Sequence, residues 1–183
     1  ECERQDRCFD FLGASEFVEI NPEVWRTALD VVGDESDVWQ SAQALMAYVH
    51  REFTYTPLVT SVRTRSGEVF ADRRGVCQDF ALVLIGALRA LGLPARYVSG
   101  YLETVPLPGQ TRLVGADASH AWVQVYLGDK WVGLDAAFRG TGRGGFDAGH
   151  ITLAVGNGNP EDFLNLINTM GQFKIDKVTV KKR

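Results

Sequence analysis

The stretch from Cys77 to Leu91 constrains this chain most, because within it only Gln78, Asp79 and Arg89 carry polar side chains. A helix that is apolar on nearly every side has to be buried on most sides, so the fold must wrap other elements around it. Gly92 and Pro94 follow, the pattern that stops a helix. At 183 residues and 45% apolar content the chain is long enough for one core of this kind, and a single main domain is expected. Gly86 and Arg89 interrupt the run, which falls short of the roughly 18 apolar residues that a membrane span needs.

Around this helix the sequence places two others. Asn21-Pro22-Glu23 is a helix start, with Asn21 as cap and Pro22 at the first helical position, and the helix runs through Trp25 and Leu29 to Gly33. A second begins at Ser36 or Asp37. There Val38, Ala42, Leu45, Val49 and Phe53 recur at three- and four-residue spacing, which predicts one buried face ending near Glu52. Thr60 to Arg74 reads as polar and exposed, with a short helix over Glu68 to Ala71. Residues 1–20 show no sustained period and are expected to form an N-terminal arm or an edge strand, leaving 21–183 as the main domain.

After Pro94 the period changes to two. Strands are predicted at Ala95 to Glu103, Ser119 to Leu127, Trp131 to Asp135 and Ile151 to Val155, with a loop at Pro106 to Gly109 and a turn at Gly128 to Lys130. Arg139 to Gly149 is glycine-rich and reads as a loop, followed by a helical segment over 160–167 and a last strand over 173–180. Helices first and antiparallel strands second make an α+β architecture, with the helices on one side of a sheet.

Composition excludes some partners. With 19 basic and 23 acidic residues the formal charge is −4, so no strong positive field draws nucleic acid, and no membrane association is expected. Three cysteines are an odd number. A Cys2–Cys8 disulfide would be compatible with the spacing, and Cys77 would remain outside it. The first residue is Glu1 and no charged segment leads into an apolar one, so a processed start is expected and cytoplasm is the default compartment.

Cys77 opens the apolar helix, in Arg74-Gly75-Val76-Cys77-Gln78-Asp79-Phe80. Unpaired backbone amides at a helix N-terminus favour the thiolate, which is the nucleophilic form of cysteine. Gly75 lets the chain turn closely and would leave room for a substrate backbone. A small buried core residue is the competing reading of the same thiol.

On the strand from Ser119, the apolar set Ala121, Val123, Val125 and Leu127 alternates with His120, Trp122, Gln124 and Tyr126. His120 therefore points away from the aliphatic face. In the next strand Trp131, Gly133 and Asp135 alternate with Val132 and Leu134. If Leu127 pairs with Lys130, or Tyr126 with Trp131, His120 and Asp135 become diagonal neighbours within hydrogen-bonding reach. A histidine that exchanges protons, held by a carboxylate and close to a thiol, is the equipment of nucleophilic acyl transfer.

The segments Arg74 to Ala81, Ala95 to Tyr101, Asp117 to Val123 and Trp131 to Asp135 together resemble the ordered signatures of the bacterial transglutaminase-like family, whose members are often described as candidate cysteine proteases. The resemblance extends from about Asn21 to about Gly156. It implies a papain-like core and a triad in the order Cys77, His120, Asp135. It also implies a cysteine-dependent enzyme that forms a thioester from an amide of a peptide or protein. Hydrolysis is expected over transamidation because no sequence feature specifies an amine-acceptor channel, and a transglutaminase is the alternative. A binding module of the same fold is the non-enzymatic alternative.

The backbone amide of Cys77 and the side chain of Gln78 are the oxyanion candidates. Trp122 and Trp131 are candidates for lining the substrate channel. No cofactor and no metal are expected: there is no C-x-x-C or H-x-x-x-H, and His50 and His150 read as structural. The chain departs from the family in having Ala136-Ala137 where proline commonly follows the triad aspartate, and Gln78 where calcium-dependent animal enzymes carry tryptophan. A β-rich region that often precedes the helices would survive only as residues 1–20.

Overall fold

The first two helices form where their caps place them. In the computed structural model, which describes residues 8–102, 118–137 and 149–159, the Asn21 side chain accepts from the amides of Glu23 and Val24. That opens α1, Pro22–Val32, and Gly33 closes it at a φ of 58°, a conformation that suits glycine. Asp37 accepts from the amide of Gln40 and opens α2, Val38–Glu52. Ala42, Leu45, Val49 and Phe53 are buried as expected. Val38, the first residue of the helix, is not: it is 46% exposed.

The segment after α2 departs from expectation. β1 (Thr54–Tyr55) pairs in parallel with β2 (Arg74–Gly75), and between them α3 spans Ser66–Asp72. Ser66, Val69 and Phe70 of α3 are buried, so the stretch read as polar and exposed contributes to the core. Part of the reason lies in the arm. The amide of Ser66 donates to the Phe17 carbonyl and its hydroxyl accepts from Glu19, which lays Phe17 and Val18 into the hydrophobic cluster.

The apolar helix α4 covers Cys77–Ala90, and all of its residues from Asp79 to Arg89 are buried. Gly86 sits where an added Cβ would meet the Glu19 carbonyl at 2.8 Å, so the arm runs directly across the helix. Arg89 is buried in the covered face of the helix. Its guanidinium donates twice to Ala95 O and once to Gly13 O, and burial lowers its pKa to about 10.

Four antiparallel strands complete the core: β3 (Ala95–Leu102), β4 (Ala118–Leu127), β5 (Lys130–Leu134) and β6 (His150–Gly156), in the spatial order β5-β4-β3-β6. Ala95, Tyr97, Ala121, Val123, Val125 and Leu134 join the hydrophobic cluster that holds α4. This is the α+β arrangement the strand and helix order predicts. The Cys2–Cys8 disulfide, the loop at Pro106 to Gly109, the glycine-rich stretch up to residue 148 and the elements expected over 160–167 and 173–180 lie outside the described residues.

Candidate active site

Cys77 occupies the first helical position of α4, half-buried, after the cap residue Val76. The turn before it is held by Asp79, whose Oδ2 accepts from the amide of Val76 at 2.7 Å and from the Thr60 hydroxyl at 2.6 Å. Burial raises the pKa of Asp79, and its hydrogen bonds from Thr60 and Val76 oppose the rise. Gly75 is glycine because of this carboxylate: a Cβ there would lie 2.6 Å from Asp79 Oδ2. The space expected for a substrate backbone is therefore filled from within.

The β4–β5 hairpin adopts the two-residue register, Leu127 with Lys130 and Tyr126 with Trp131. Continued one pair past Val123 and Leu134, it sets His120 diagonal to Asp135, and the two side chains meet. Nε2 of His120 lies 2.6 Å from Oδ2 of Asp135. Asp135 is 1% exposed, and its Oδ1 accepts from the amide of Ala137 at 2.9 Å, the turn that aspartate makes with the amide two residues on. Burial alone would raise the Asp135 pKa, but hydrogen bonds from His120, His150 and Ala137 hold it below the usual carboxylate range. The exit after Asp135 is fixed without proline, since the Ala137 amide serves the carboxylate and the Ala136 carbonyl is 2.8 Å from His50 Nδ1.

An ionised Asp135 can only accept, so the Nε2 of His120 carries the proton and Nδ1 is left for another partner. Burial works against a charged imidazole, yet the hydrogen bonds and charges of Asp135 and Cys77 outweigh it and raise His120 to about 9.

Sequence reasoning missed two residues. The Nε2 of His150, from β6, lies 3.0 Å from the same Oδ2 of Asp135, and its side chain is wholly buried. Tyr55 arrives beside Cys77 because β1 pairs with the strand leading into α4. Burial, then the charges of Cys77, Asp79 and Asp135, raise its pKa, which keeps the phenol protonated and able to donate. A two-residue parallel bridge has no periodic signature, and a histidine on a distant strand has no spacing that ties it to Asp135.

The other expected site residues take separate places. Gln78 donates its side-chain amide to the Ser61 carbonyl at 3.1 Å. Trp122 is 1% exposed, stacked beside His120 and edge-on to His150, and so offers no wall to an open channel. Trp131 lies at the hairpin end among Phe11, Tyr126 and Arg96. His120, Asp135 and His150 have donor atoms within 4.8 Å of one another, close enough for a metal ion in principle. Their 2.6 and 3.0 Å separations are those of hydrogen bonds, and the carboxylate already serves both imidazoles, so none of the three is read as a ligand.

The model of the Transglutaminase-like superfamily matches residues 26–136. An uncharacterised protein of Mycobacterium tuberculosis (strain H37Rv) is 47% identical over 96 residues, covering 50% of this chain and 31% of its own. A protein-glutamine gamma-glutamyltransferase of Pseudomonas aeruginosa is 32% identical over 102 residues, 54% of this chain and 15% of its own. Among solved structures, a candidate cysteine protease from Cytophaga hutchinsonii superposes with a TM-score of 0.68 at 25% identity, covering 82% of this chain and 47% of that one. The periplasmic domain of TgpA from Pseudomonas aeruginosa does so with 0.52 at 26% identity, covering 72% and 49%. The chain thus spans under a third of the curated relatives first named and about half of the solved ones.

Proposed function

The chain belongs to the transglutaminase-like superfamily, and from that premise we propose that it is a cysteine-dependent acyl-transfer enzyme in which Cys77, His120 and Asp135 act as a triad on amide bonds of peptides or proteins. The observation that supports this best is His120, bonded through Nε2 to a buried Asp135 while Cys77 at the helix terminus raises its pKa. His⁺ beside a thiol favours the thiolate. The sulfur attacks the amide carbonyl carbon, the carbonyl π pair moves onto oxygen, and the C–N bond breaks as the imidazolium gives its proton to the leaving amine. The thioester that remains is resolved by water or by a second amine, with His120 now accepting the proton.

For the oxyanion, the Cys77 backbone amide is one donor, since first-turn amides have no partner within the helix. Tyr55 is the better second donor than Gln78, whose amide is engaged with Ser61. We favour hydrolysis, because Cys77 is only half-buried and Tyr55 beside it is 43% exposed, which leaves the thioester open to water. The similarity to a protein-glutamine gamma-glutamyltransferase supports the second reading, transamidation. As to compartment, among the described residues no helix is long and apolar enough to cross a membrane, and the cytoplasmic expectation has no support from TgpA, whose solved domain is periplasmic.

Two measurements test the proposal. Iodoacetamide near neutral pH should alkylate Cys77 stoichiometrically in the wild type and much more slowly in His120→Ala, while Cys77→Ala stays folded and inactive. Amide turnover by Cys77→Ala would remove the thiol from the mechanism. Then a glutamine-containing peptide with increasing primary amine separates the two outcomes of the thioester: ammonia release should exceed amine incorporation, and saturable incorporation that outruns hydrolysis at low millimolar amine would establish a transamidase instead.

A further inference from the structure

We propose that His150 is the positioning residue of this site, a second imidazole that fixes Asp135 so that the carboxylate can orient His120. The proposal rests on reading Asp135 as the orienting carboxylate. β6 lies at the opposite edge of the sheet from β5, with two strands between them, yet the Nε2 of His150 reaches Asp135 Oδ2 at 3.0 Å, the atom that also takes the Nε2 of His120 at 2.6 Å. The amide of Ala137 takes Oδ1. Among the described residues, three donors from separate parts of the chain thus grip one carboxylate, and rotation about its Cβ–Cγ bond would disturb all of them.

The surroundings are built to deliver this imidazole. Between Ser99 and Gly100 the register of β3 with β6 slips, passing over Leu153, and beyond the slip Leu102 faces His150. Gly100 makes the slip possible: a Cβ there would meet the Ile151 carbonyl at 2.0 Å and the Trp122 ring at 2.6 Å. Trp122 in turn meets the His150 ring edge-on at 5.1 Å and stacks on the His120 ring at 6.1 Å, so neither imidazole is free to swing. A histidine needed only to fill space would not require a donor aimed at the oxygen that His120 uses.

Sharing one oxygen between two N–H donors has a chemical consequence. Part of the carboxylate's accepting capacity goes to His150, which weakens its hold on the His120 proton and keeps the imidazolium acidic enough to protonate a leaving amine. Among the described residues, the titratable groups facing His120 are Asp135 and His150 from the sheet and Cys77 from α4. Tyr55 of β1 and Asp79 of α4 stand behind Cys77. Only one of these changes in a His150 variant.

The test compares His150→Leu, His150→Gln and His150→Asn. Glutamine can place an amide N–H near the position of Nε2, whereas asparagine is one carbon short. Ring-labelled histidine NMR follows the titration of His120, and steady-state kinetics on an amide peptide follow kcat and KM. In His150→Leu the His120 midpoint should move up, and kcat should fall on the order of tenfold to a hundredfold, the range expected for losing a hydrogen bond to a charged group. KM should stay within about twofold. His150→Gln should recover most of both readouts and His150→Asn neither. An unmoved His120 midpoint in folded His150→Leu would overturn the proposal. Should His150→Leu not fold, equal behaviour of the Gln and Asn variants would do the same. If no form of the protein turns over an amide, the acyl-transfer reading fails while the NMR contrast still decides the role of His150.

Discussion

One face of the sheet carries two aromatic clusters that look alike in sequence and differ in kind. On β4 the alternate residues run His120, Trp122, Gln124, Tyr126, and on β5 they run Trp131, Gly133, Asp135. At the hairpin end Trp131 meets Phe11 at 5.3 Å, Tyr126 at 5.2 Å and the Arg96 guanidinium at 4.2 Å, all in a half-buried setting. At the other end the rings are His120, Trp122 and His150, and they enclose an ionised carboxylate. Aromatic alternation is thus no mark of a site by itself. What separates the ends is what arrives from elsewhere: α4 brings Cys77 and β6 brings His150 to one of them, while the other receives a cation and a ring from the arm.

The largest expected effect breaks the reactive end alone. Asp135→Asn should lower kcat by about 10²–10⁴ with KM nearly unchanged, because in the proposed mechanism it removes the group that orients the imidazole rather than one that binds substrate. It should also move the alkaline limb of kcat/KM down. In the proposed mechanism His120 hands its proton to the amine, so that limb is expected near pH 9 in the wild type. Stability carries the same signature. The His120 pKa is raised from 6.5 to about 9, so its contribution is complete below pH 6.5 and is lost as pH rises through about 9. Urea midpoints at pH 6 and pH 9.5 should differ less in Asp135→Asn than in the wild type. An unaltered kcat would mean that another group orients His120.

Trp122→Ala should come next. The ring is large and fully buried, so truncation should cost about 3–5 kcal/mol, and the folded fraction should also turn over more slowly because both imidazoles lose their common wall. Thermal unfolding and activity corrected for folded protein measure the two effects separately. Full activity in the folded fraction would show that the imidazoles are held without it.

Much of this was legible in the chain. Asn21-Pro22 and Asp37 carry their caps in the sequence, the helix from Cys77 is marked by composition, and a two-residue turn at Gly128-Asp129 suffices to bring His120 to Asp135. These features depend on neighbours within about twenty residues. What was hidden depends on pairings between remote segments. Val69 and Phe70 are buried because the arm and α4 cover them, Gly75 is required by a carboxylate four residues on, and His150 reaches Asp135 only through a strand order and a register slip that local periodicity does not encode. Trp122 and Trp131 looked equivalent as ring-bearing positions of one face, and only the placement of β6 and the arm tells them apart.

The smallest expected effect tests whether the two ends are independent. Trp131 gives one edge-to-face pair with Phe11 and one stacked cation, Arg96, whose guanidinium is also tied to Gln124. Such contacts at half-buried positions are worth about 0.5–1.5 kcal/mol and about 0.5–1 kcal/mol, so Trp131→Ala should cost about 1–2.5 kcal/mol in total. Its partner Tyr126 lies six residues along β4 from His120, roughly 20 Å at a rise of about 3.3 Å per residue. At that separation kcat and KM should stay within about twofold of wild type and the alkaline limb should not move. A tenfold loss of kcat in a fully folded Trp131→Ala would mean that the hairpin end shapes the acyl site after all, and the separation drawn between the two clusters would have to be abandoned.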